Sequence, residues 1–349
     1  MVILITGLCS TNCWYCPLSA KKQGKDVIYA DEWQLKDEDD TLTLLTEARL
    51  INATGAGITG GDPLLVWKRT QTFIECLKNT FGSSFHIHMY TSGLTNSEKI
   101  SSLIEAGLDE IRFHPPPNYW NSMQKSPLNA IIKQCVNSSI SVAIEVPALP
   151  DREADLLSLI KWADDHQVAY VNLNELEFSE SNTQPLQAKG YSQKHELSAA
   201  VHGSQETALS VMNELEHQNV SLGVHYCSVS FKDGIQLRNR LKRRAHNIAR
   251  DFDVITQDGM IIKGVICHPD HSLNDIYKFL QTTYDIPDRF LFKDMEKHRI
   301  ELGGWIVEHI APELILHGYQ CYLVEEYPTA DRLEVERIPL PLDQEPAIL

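Results

Sequence analysis

The sequence contains no apolar run of eighteen residues, no internal repeat and no low-complexity segment. A transmembrane helix needs about 20 consecutive apolar residues, so none is expected. The apolar start at residues 1–7 is too short for a signal peptide and has no basic flank. We therefore expect a cytoplasmic protein with no membrane span, in a compartment where thiols stay reduced.

Positive charge is also scarce, because 31 Lys and Arg residues face 47 Asp and Glu residues and the formal net charge is −16. Such a balance argues against broad nucleic-acid affinity over the whole surface. The length of 349 residues suits one large domain with a smaller one, and the 43% hydrophobic content is ordinary for a globular chain.

Short β-rich runs alternate with helical patterns over the first half of the chain. We predict strands at residues 2–6, 56–60, 86–91, 110–114, 142–147 and 170–174, and helices at 41–53, 70–81, 96–106, 128–137 and 152–166. Strict alternation implies βα units around a parallel sheet. The predicted fold class is α/β, a partial (β/α)6 barrel with its active site at the carboxyl ends of the strands.

The pattern changes after about residue 176. A long polar loop at 177–193 is followed by a helix at 205–218, a strand at 221–226 and a basic helix at 234–250. The remainder predicts a hairpin at 253–266, helices at 273–284 and 299–317, and a strand at 319–325. We expect a barrel core at 1–225 and a small C-terminal α+β extension at 226–349.

Three of the eight cysteines, Cys9, Cys13 and Cys16, lie within eight residues in a Cys-x3-Cys-x2-Cys spacing. Three thiolates in a tight loop can bind three irons of one [4Fe-4S] cluster, which leaves the fourth iron open to a substrate or cofactor. A structural zinc site would need four ligands, usually in Cys-x2-Cys pairs, and no second pair exists. Zinc stays as the alternative.

This segment resembles the cluster loop of the radical S-adenosylmethionine (SAM) superfamily. The resemblance implies that Cys9, Cys13 and Cys16 bind the cluster and that Tyr15 packs over the base of the cofactor. Gly60-Gly61-Asp62-Pro63 is similar to the Gly-Gly-Glu-Pro motif of that family, which holds the amino group of SAM, with Asp62 where Glu is commoner. Glycines at a strand-to-helix turn have a simpler explanation, since they supply unusual backbone angles.

Two further segments of the first 175 residues resemble the family. Thr91 and Ser92 end the third predicted strand near the expected SAM ribose and carboxylate, although as a sequence they are only a turn. Glu145, on the fifth strand, and Asn172, on the sixth, are candidates for cofactor or substrate binding, or for satisfying loop amides. Residues 13–19, 24–27, 172–177 and 326–332 resemble a mainly archaeal group related to pyruvate formate-lyase activating enzymes.

The resemblance implies a mechanism. SAM chelates the open iron, the reduced cluster passes one electron to the sulfonium, and a 5′-deoxyadenosyl radical takes a hydrogen atom from the substrate. The cofactors carry this chemistry, and the protein supplies positioning and a dry cavity. A reductant protein such as ferredoxin or flavodoxin is the implied electron source.

Cys227 follows a predicted strand beyond the barrel core and is a candidate catalytic residue. It could donate a hydrogen atom, form an adduct or bind a second metal, or it could be a small buried thiol, the commoner fate of cysteine. Cys267 and Cys321 are candidates for a second cluster by count alone, with no paired spacing.

The basic helix carries six Lys and Arg residues and no acid between Arg238 and Arg250. Helical spacing places Arg240, Arg243 and Arg244 on one side, where they could hold phosphates of RNA, a nucleotide or a lipid headgroup. The alternative is a solvated or internally paired face.

Three functions follow as hypotheses. The first is a radical SAM enzyme acting on a substrate that carries a phosphate. The second is a radical SAM enzyme acting on a macromolecule, either a tRNA or a glycyl-radical enzyme that it activates. The third is a non-catalytic binding module stabilised by a metal.

Overall fold

The computed structural model describes residues 1–341. The chain divides into two compact units, the first comprising residues 1–49 and 53–235 and the second residues 50–52 and the chain from residue 236. The boundary expected between residues 225 and 226 falls inside a strand, Gly223–Cys227, and the expected extension runs past the described residues.

The first unit is built on a nine-stranded sheet in the order β3-β2-β1-β4-β5-β6-β7-β8-β9. Its strands are β1 Val2–Leu4, β2 Tyr29–Ala30, β3 Trp33–Gln34, β4 Gly55–Thr59, β5 His86–Thr91, β6 Glu110–Phe113, β7 Ser141–Ala148, β8 Tyr170–Glu175 and β9 Gly223–Cys227. Strands β1 and β4 to β9 are parallel, and β2 and β3 add an antiparallel edge. The predicted barrel strands are present, and β9 adds a seventh parallel strand beside β8.

Helices connect these strands and cover one face of the sheet, as parallel sheets require. They are α1 Thr41–Leu50, α2 Trp67–Phe81, α3 Ile100–Glu105, α4 Leu128–Val136, α5 Glu153–Asp165, α6 Thr183–Ala188, α7 Ser204–Glu216 and the short α8 Val229–Phe231. Fully buried Met89, Ile111 and Ile144 belong to the apolar core between sheet and helices. Alternate residues face the barrel interior and are largely polar, because successive side chains of a strand point to opposite faces.

The second unit is an α+β module. It contains α9 Arg238–Ile248, β10 Val254–Ile255, β11 Ile261–Cys267, α10 Leu273–Tyr284, β12 Leu291–Asp294, β13 Arg299–Leu302, α11 Gly304–Leu316, β14 Gln320–Glu326 and β15 Glu334–Pro339. Its antiparallel sheet has the order β12-β13-β11-β14-β15, with β10 paired to β11 as the predicted hairpin.

The single helix predicted at residues 299–317 is wrong. Residues 299–302 form strand β13, which pairs with both β11 and β12, and the helix begins only at Gly304. Glu301 is fully buried although it is charged, because it is paired with Arg299 and Lys263. Buried ion pairs of this kind have no signature in an apolar pattern.

A buried ionic network joins the strands of the second unit. The side chains of Lys263, Arg299, Glu301 and Glu326 are at most 2% exposed. Lys263 Nζ lies 2.8 Å from Glu326 Oε1, and Arg299 Nη2 lies 2.9 Å from Glu326 Oε2. Each buried charge therefore has an opposite partner, which is the condition under which charges are tolerated away from water.

Among residues 1–341, no helix is both long enough and apolar enough to cross a membrane.

Candidate active site

The three-cysteine loop is closed at its base by backbone hydrogen bonds. The Gly7 amide donates to the Lys25 carbonyl at 2.9 Å, and the Gly24 amide donates to the Gly7 carbonyl at 2.8 Å. Arg69 reinforces this base, because its guanidinium donates two hydrogen bonds to Asp26, at 2.7 and 3.0 Å. Residues 7–25 therefore leave the carboxyl end of β1 as a loop whose two ends are held together.

The cysteines differ in exposure within this loop, since Cys9 is exposed and Cys13 and Cys16 are half-buried. The Cys16 amide donates to the Cys13 carbonyl at 3.0 Å, which makes a turn between the second and third cysteines. In the described part of the chain, no three His, Cys, Asp or Glu side chains converge closely enough to bind one metal ion. A cubane cluster has another requirement, because each thiolate binds a different iron atom.

Gly60 and Gly61 hold the end of β4 against the start of the cysteine loop. The Gly61 amide donates to the Thr6 carbonyl and the Asp62 amide to the Leu8 carbonyl, both at 2.8 Å. A Cβ on Gly61 would lie 1.9 Å from the Leu8 oxygen, and one on Gly60 would lie 2.2 Å from the Thr6 oxygen. Only glycine permits this approach, so both residues are needed to position the loop.

Asp62 is fully buried and joins the end of β4 to the end of β5. Its carboxylate accepts hydrogen bonds from the Leu64 amide at 3.1 Å, the Thr91 hydroxyl at 2.7 Å and the Ser92 amide at 3.2 Å, as well as from the Ser92 hydroxyl. Pro63 begins the short 3-10 helix that Asp62 caps. The structure thus brings Asp62, Thr91 and Ser92 together, and both carboxylate oxygens have protein donors.

Tyr15 is fixed by His114, a residue that the sequence did not single out. The Nδ1 atom of His114 lies 2.8 Å from the Glu145 carbonyl, which can only accept, so this nitrogen carries the proton. The Nε2 atom then accepts from the Tyr15 hydroxyl at 2.8 Å. Burial lowers the pKa of His114 and raises that of Tyr15, so both stay neutral. The aromatic residue of the loop therefore has a defined orientation.

Arg112 lies on β6 and organises the polar interior of the barrel. Its guanidinium donates to Glu110 at 2.5 Å, to the Tyr90 hydroxyl at 2.8 Å and to Glu145 at 3.1 Å. The other oxygen of Glu145 accepts from the Asn174 side chain at 2.8 Å. Glu145, one of the predicted site residues, is therefore held in place by Arg112 and Asn174.

Asn172 continues this network towards β9. Its side-chain amide donates to the Asn174 oxygen at 3.0 Å, and its own oxygen lies 2.6 Å from Nδ1 of His225. Glu145, Asn172 and His225 are neighbours in the parallel register of β7, β8 and β9. The network therefore runs across three strands of the barrel interior.

Cys227 ends β9 and is paired in register with Asn174 of β8. Its side chain is buried, and burial raises the pKa of the thiol, so the group stays protonated at neutral pH. The structure places Cys227 in the row of interior positions that contains Asn174. Cys267 and Cys321 belong to β11 and β14 of the second unit.

A polar segment between β8 and α7 braces the cysteine loop. The buried side chain of Asn182 donates to the Tyr15 carbonyl at 3.1 Å and to the Glu177 carbonyl at 3.0 Å. The Ser181 hydroxyl donates to the Cys16 carbonyl at 3.2 Å. The sequence showed this segment only as a polar loop, and no spacing in it signals a partner 165 residues away.

The basic helix α9 does not present its three candidate arginines alike. Arg243 is exposed and donates to the Ile51 carbonyl at 2.7 Å, whereas Arg244 is 5% exposed and donates to the Pro328 carbonyl. Arg240 is half-buried. Two of the three guanidiniums therefore bind backbone carbonyls of their own unit.

The residues of the loop fit a [4Fe-4S] cluster with one open iron. Three soft thiolates follow β1 directly, which is the donor set that iron–sulfur clusters take. The glycine-lined segment at the end of β4 lies against the same loop, where a ligand of the fourth iron would meet backbone groups rather than side chains.

Comparisons with known proteins agree with this geometry. The model of the radical SAM superfamily matches residues 3–115, and a family described as a domain of unknown function (DUF8061) matches residues 259–340. A protein of Methanocaldococcus jannaschii, named "Putative glycyl-radical enzyme activating enzyme", is 39% identical over 349 residues, which cover 97% of this chain and 89% of the relative.

Solved structures of SuiB from Streptococcus suis share the fold only distantly. The complex with precursor peptide SuiA matches with a TM-score of 0.49 and 11% identity, over 70% of this chain and 55% of SuiB. The complex with SAM matches with a TM-score of 0.43 and 9% identity, over 68% of this chain and 52% of SuiB. The chain thus spans about half of the SuiB length.

Family membership therefore rests on the sequence relatives, and the hypothesis of a non-catalytic binding module is set aside. The cysteine loop, the strand-end glycines and a relative that is 39% identical across nearly the whole chain lead to one conclusion. The chain belongs to the radical SAM superfamily of enzymes, whose cofactors are a [4Fe-4S] cluster and S-adenosylmethionine.

Proposed function

We propose that this enzyme removes a hydrogen atom from a glycine of a partner protein and so activates a glycyl-radical enzyme. The observation that carries the proposal is the 39% identity, over 97% of the chain, to the Methanocaldococcus jannaschii protein named for that activity. Identity over this length includes the second unit as well as the barrel.

In this proposal the cysteine loop holds the cofactors. Cys9, Cys13 and Cys16 each bind one iron, and the backbone at Gly60 and Gly61 faces the amino group of SAM. When bound, the cluster and SAM supply the radical that removes the hydrogen atom. The chain's own part is to orient the reactants and to exclude water.

The remaining predicted residues have distinct roles in the proposal. Asp62, held by Thr91 and Ser92, fixes the shape of the strand-end shelf on which SAM lies. Tyr15, oriented by His114, packs against the cofactor base.

The barrel interior supplies the substrate contacts in the proposal. Glu145, Asn172 and Asn174 offer donors and acceptors of the kind that a peptide backbone needs. Their mutual hydrogen bonds keep them oriented before the substrate arrives.

The second candidate is a phosphate-bearing small molecule or a tRNA, and Cys227 is the observation that favours it. A buried, protonated thiol has a hydrogen atom to give. The S–H bond would break as a C–H bond forms on the substrate radical, and one electron from the reductant protein with one proton would restore the thiol. Arg240 and Arg243 are the phosphate candidates that lie at least partly at the surface of α9.

Deuterium transfer tests the first candidate. Pooled peptides that contain glycine dideuterated at Cα are incubated anaerobically with the reconstituted enzyme, SAM and a reductant, and mass spectrometry measures deuterium in the 5′-deoxyadenosine formed. We expect deuterium from the glycine peptides, and none from matched peptides that carry deuterated alanine.

A Cys13→Ala variant serves as the control that lacks a cluster ligand, and it should form no 5′-deoxyadenosine. Abundant 5′-deoxyadenosine without deuterium from any glycine peptide would remove the first candidate. If Cys227→Ala then blocked turnover of a phosphate-bearing substrate but not SAM cleavage, the second candidate would replace it.

A further inference from the structure

The first 25 residues contain no Asp or Glu, although the whole chain has 47 acids in 349 residues and a net charge of −16. The same stretch carries Lys21, Lys22 and Lys25 as well as the three cluster cysteines. The cluster loop is therefore a positive island on a protein that is otherwise strongly acidic.

The fold places these lysines next to the cysteines. The carbonyl of Lys25 accepts from the Gly7 amide at 2.9 Å, and Gly7 precedes Cys9 by two residues, a span of at most about 7 Å. Lys21 and Lys25 are exposed, and so is Cys9.

A fourth cation reaches the loop from elsewhere in the chain. The ammonium of Lys189, which is exposed, lies 4.7 Å from the ring centroid of Trp14, the residue that follows Cys13. Positive charge therefore borders the loop near both its first and its second cysteine.

The acids nearest to the base of the loop are engaged. Asp26 accepts two hydrogen bonds from Arg69 and one from the Thr6 hydroxyl at 2.9 Å. Glu38 accepts from the same guanidinium at 2.9 Å. Their negative charge is partly offset by Arg69, and they lie beyond the end of the loop rather than within it.

We propose that the lysine surface, defined by Lys21, Lys25 and Lys189 around Cys9, docks an acidic one-electron carrier protein that reduces the cluster. Radical SAM chemistry requires an electron at this cluster, and Cys9 is its exposed ligand position. An acidic carrier is repelled by the net charge of −16 and attracted only where the potential is locally positive, so the lysine surface selects both the partner and its orientation.

Stopped-flow mixing tests the docking surface without any substrate. Reduced flavodoxin, an acidic carrier, is mixed anaerobically with the oxidised holoenzyme, and flavin oxidation gives the rate constant of cluster reduction. The variant Lys21→Glu/Lys25→Glu should lower this constant about tenfold or more at low ionic strength. The matched control Lys133→Glu/Lys161→Glu changes exposed lysines on α4 and α5 by the same charge and should stay within about twofold.

Added salt should bring the three proteins to similar rate constants, since screening removes attraction between exposed charges. Iron content and the spectrum after dithionite reduction show whether the variant cluster is intact. If the reversal variant loses iron, Lys21→Gln/Lys25→Gln replaces it, with an expected decrease of about threefold.

The proposal is overturned if the lysine variants reduce at the wild-type rate, or if the control pair slows the reaction equally. Because no substrate is present, either result leaves the proposed hydrogen abstraction from glycine untouched.

Discussion

Replacing Asp62 separates a structural role from a cofactor contact. In Asp62→Ala, the Leu64 and Ser92 amides lose their acceptor in a fully buried site. A buried donor left unpaired costs about 1–3 kcal/mol, while the Thr91 and Ser92 hydroxyls can rotate to other acceptors. The variant should therefore lose about 4 kcal/mol of the free energy of unfolding.

Urea unfolding of the cofactor-free protein, followed by tryptophan fluorescence, measures this loss. Five of the six tryptophans lie in the first 235 residues, so the signal reports mainly the barrel unit. Asp62→Asn keeps one acceptor oxygen and should lose about half as much. Asp62→Glu adds a methylene to a site with no exposed surface and should cost about 1–3 kcal/mol by overpacking.

The opposite pattern would refute the structural role. If Asp62→Ala unfolded at the wild-type urea concentration but bound SAM far more weakly in equilibrium dialysis, the carboxylate would be a cofactor ligand, as the sequence motif alone suggested. Ser92→Ala is the matched control, because it removes one hydroxyl donor and leaves the carboxylate in place.

Three further predictions concern other parts of the molecule. Asn182→Ala should speed the loss of cluster iron to a chelator several-fold, measured by the absorbance of the ferrous complex, because the Tyr15 carbonyl loses its donor. His88→Gln should flatten the pH dependence of urea stability between pH 7 and 5 by about 2 kcal/mol. Burial lowers the pKa of His88 to about 3, so the unfolded chain, with its ordinary value of 6.5, takes up a proton that the folded chain refuses. The stability is therefore present above pH 6.5 and lost as the pH falls. Arg299→Met should cost about 3–5 kcal/mol by breaking the buried network, and Arg337→Met, at an exposed ion pair, less than about 1 kcal/mol, both measured from urea unfolding.

Each of these predictions has a result that contradicts it. An Asn182→Ala variant that retains its iron as long as the wild type would show that the brace does not hold the loop. An unchanged pH profile in His88→Gln would assign the acid sensitivity to other groups. Equal costs for the two arginine variants would mean that burial does not govern the network.

The barrel was predictable because its signals are local. Each parallel strand is a short run of β-forming residues, and each helix repeats apolar residues at helical spacing. Strands β2 and β3 have two residues each, too few to show any period. Strand β13 was mistaken for the start of a helix, although the Gly303-Gly304 pair marks the break, because its charged residues are buried only through partners on other strands.

The site was predictable only where chemistry follows spacing along the chain. Cys9, Cys13 and Cys16 are recognised by their separation, and the Gly60-Gly61 pair by its motif. Arg112 and His114 acquire their roles from the register between strands, which no single segment contains. Asn182 depends on a contact between residues 167 positions apart, so its role emerges only from the folded chain.

The closed base of the cysteine loop bears on how the enzyme matures. Its ends are joined by the backbone of Gly7, Gly24 and Lys25, and none of these hydrogen bonds uses a thiolate. In a zinc finger, metal binding and folding are one event, because the ligands meet only when the ion is present. Here the polypeptide alone shapes the loop, so iron and sulfide can be delivered to a finished fold. The order of assembly is protein first and inorganic core second, and a cluster destroyed by oxygen can be rebuilt without unfolding its host.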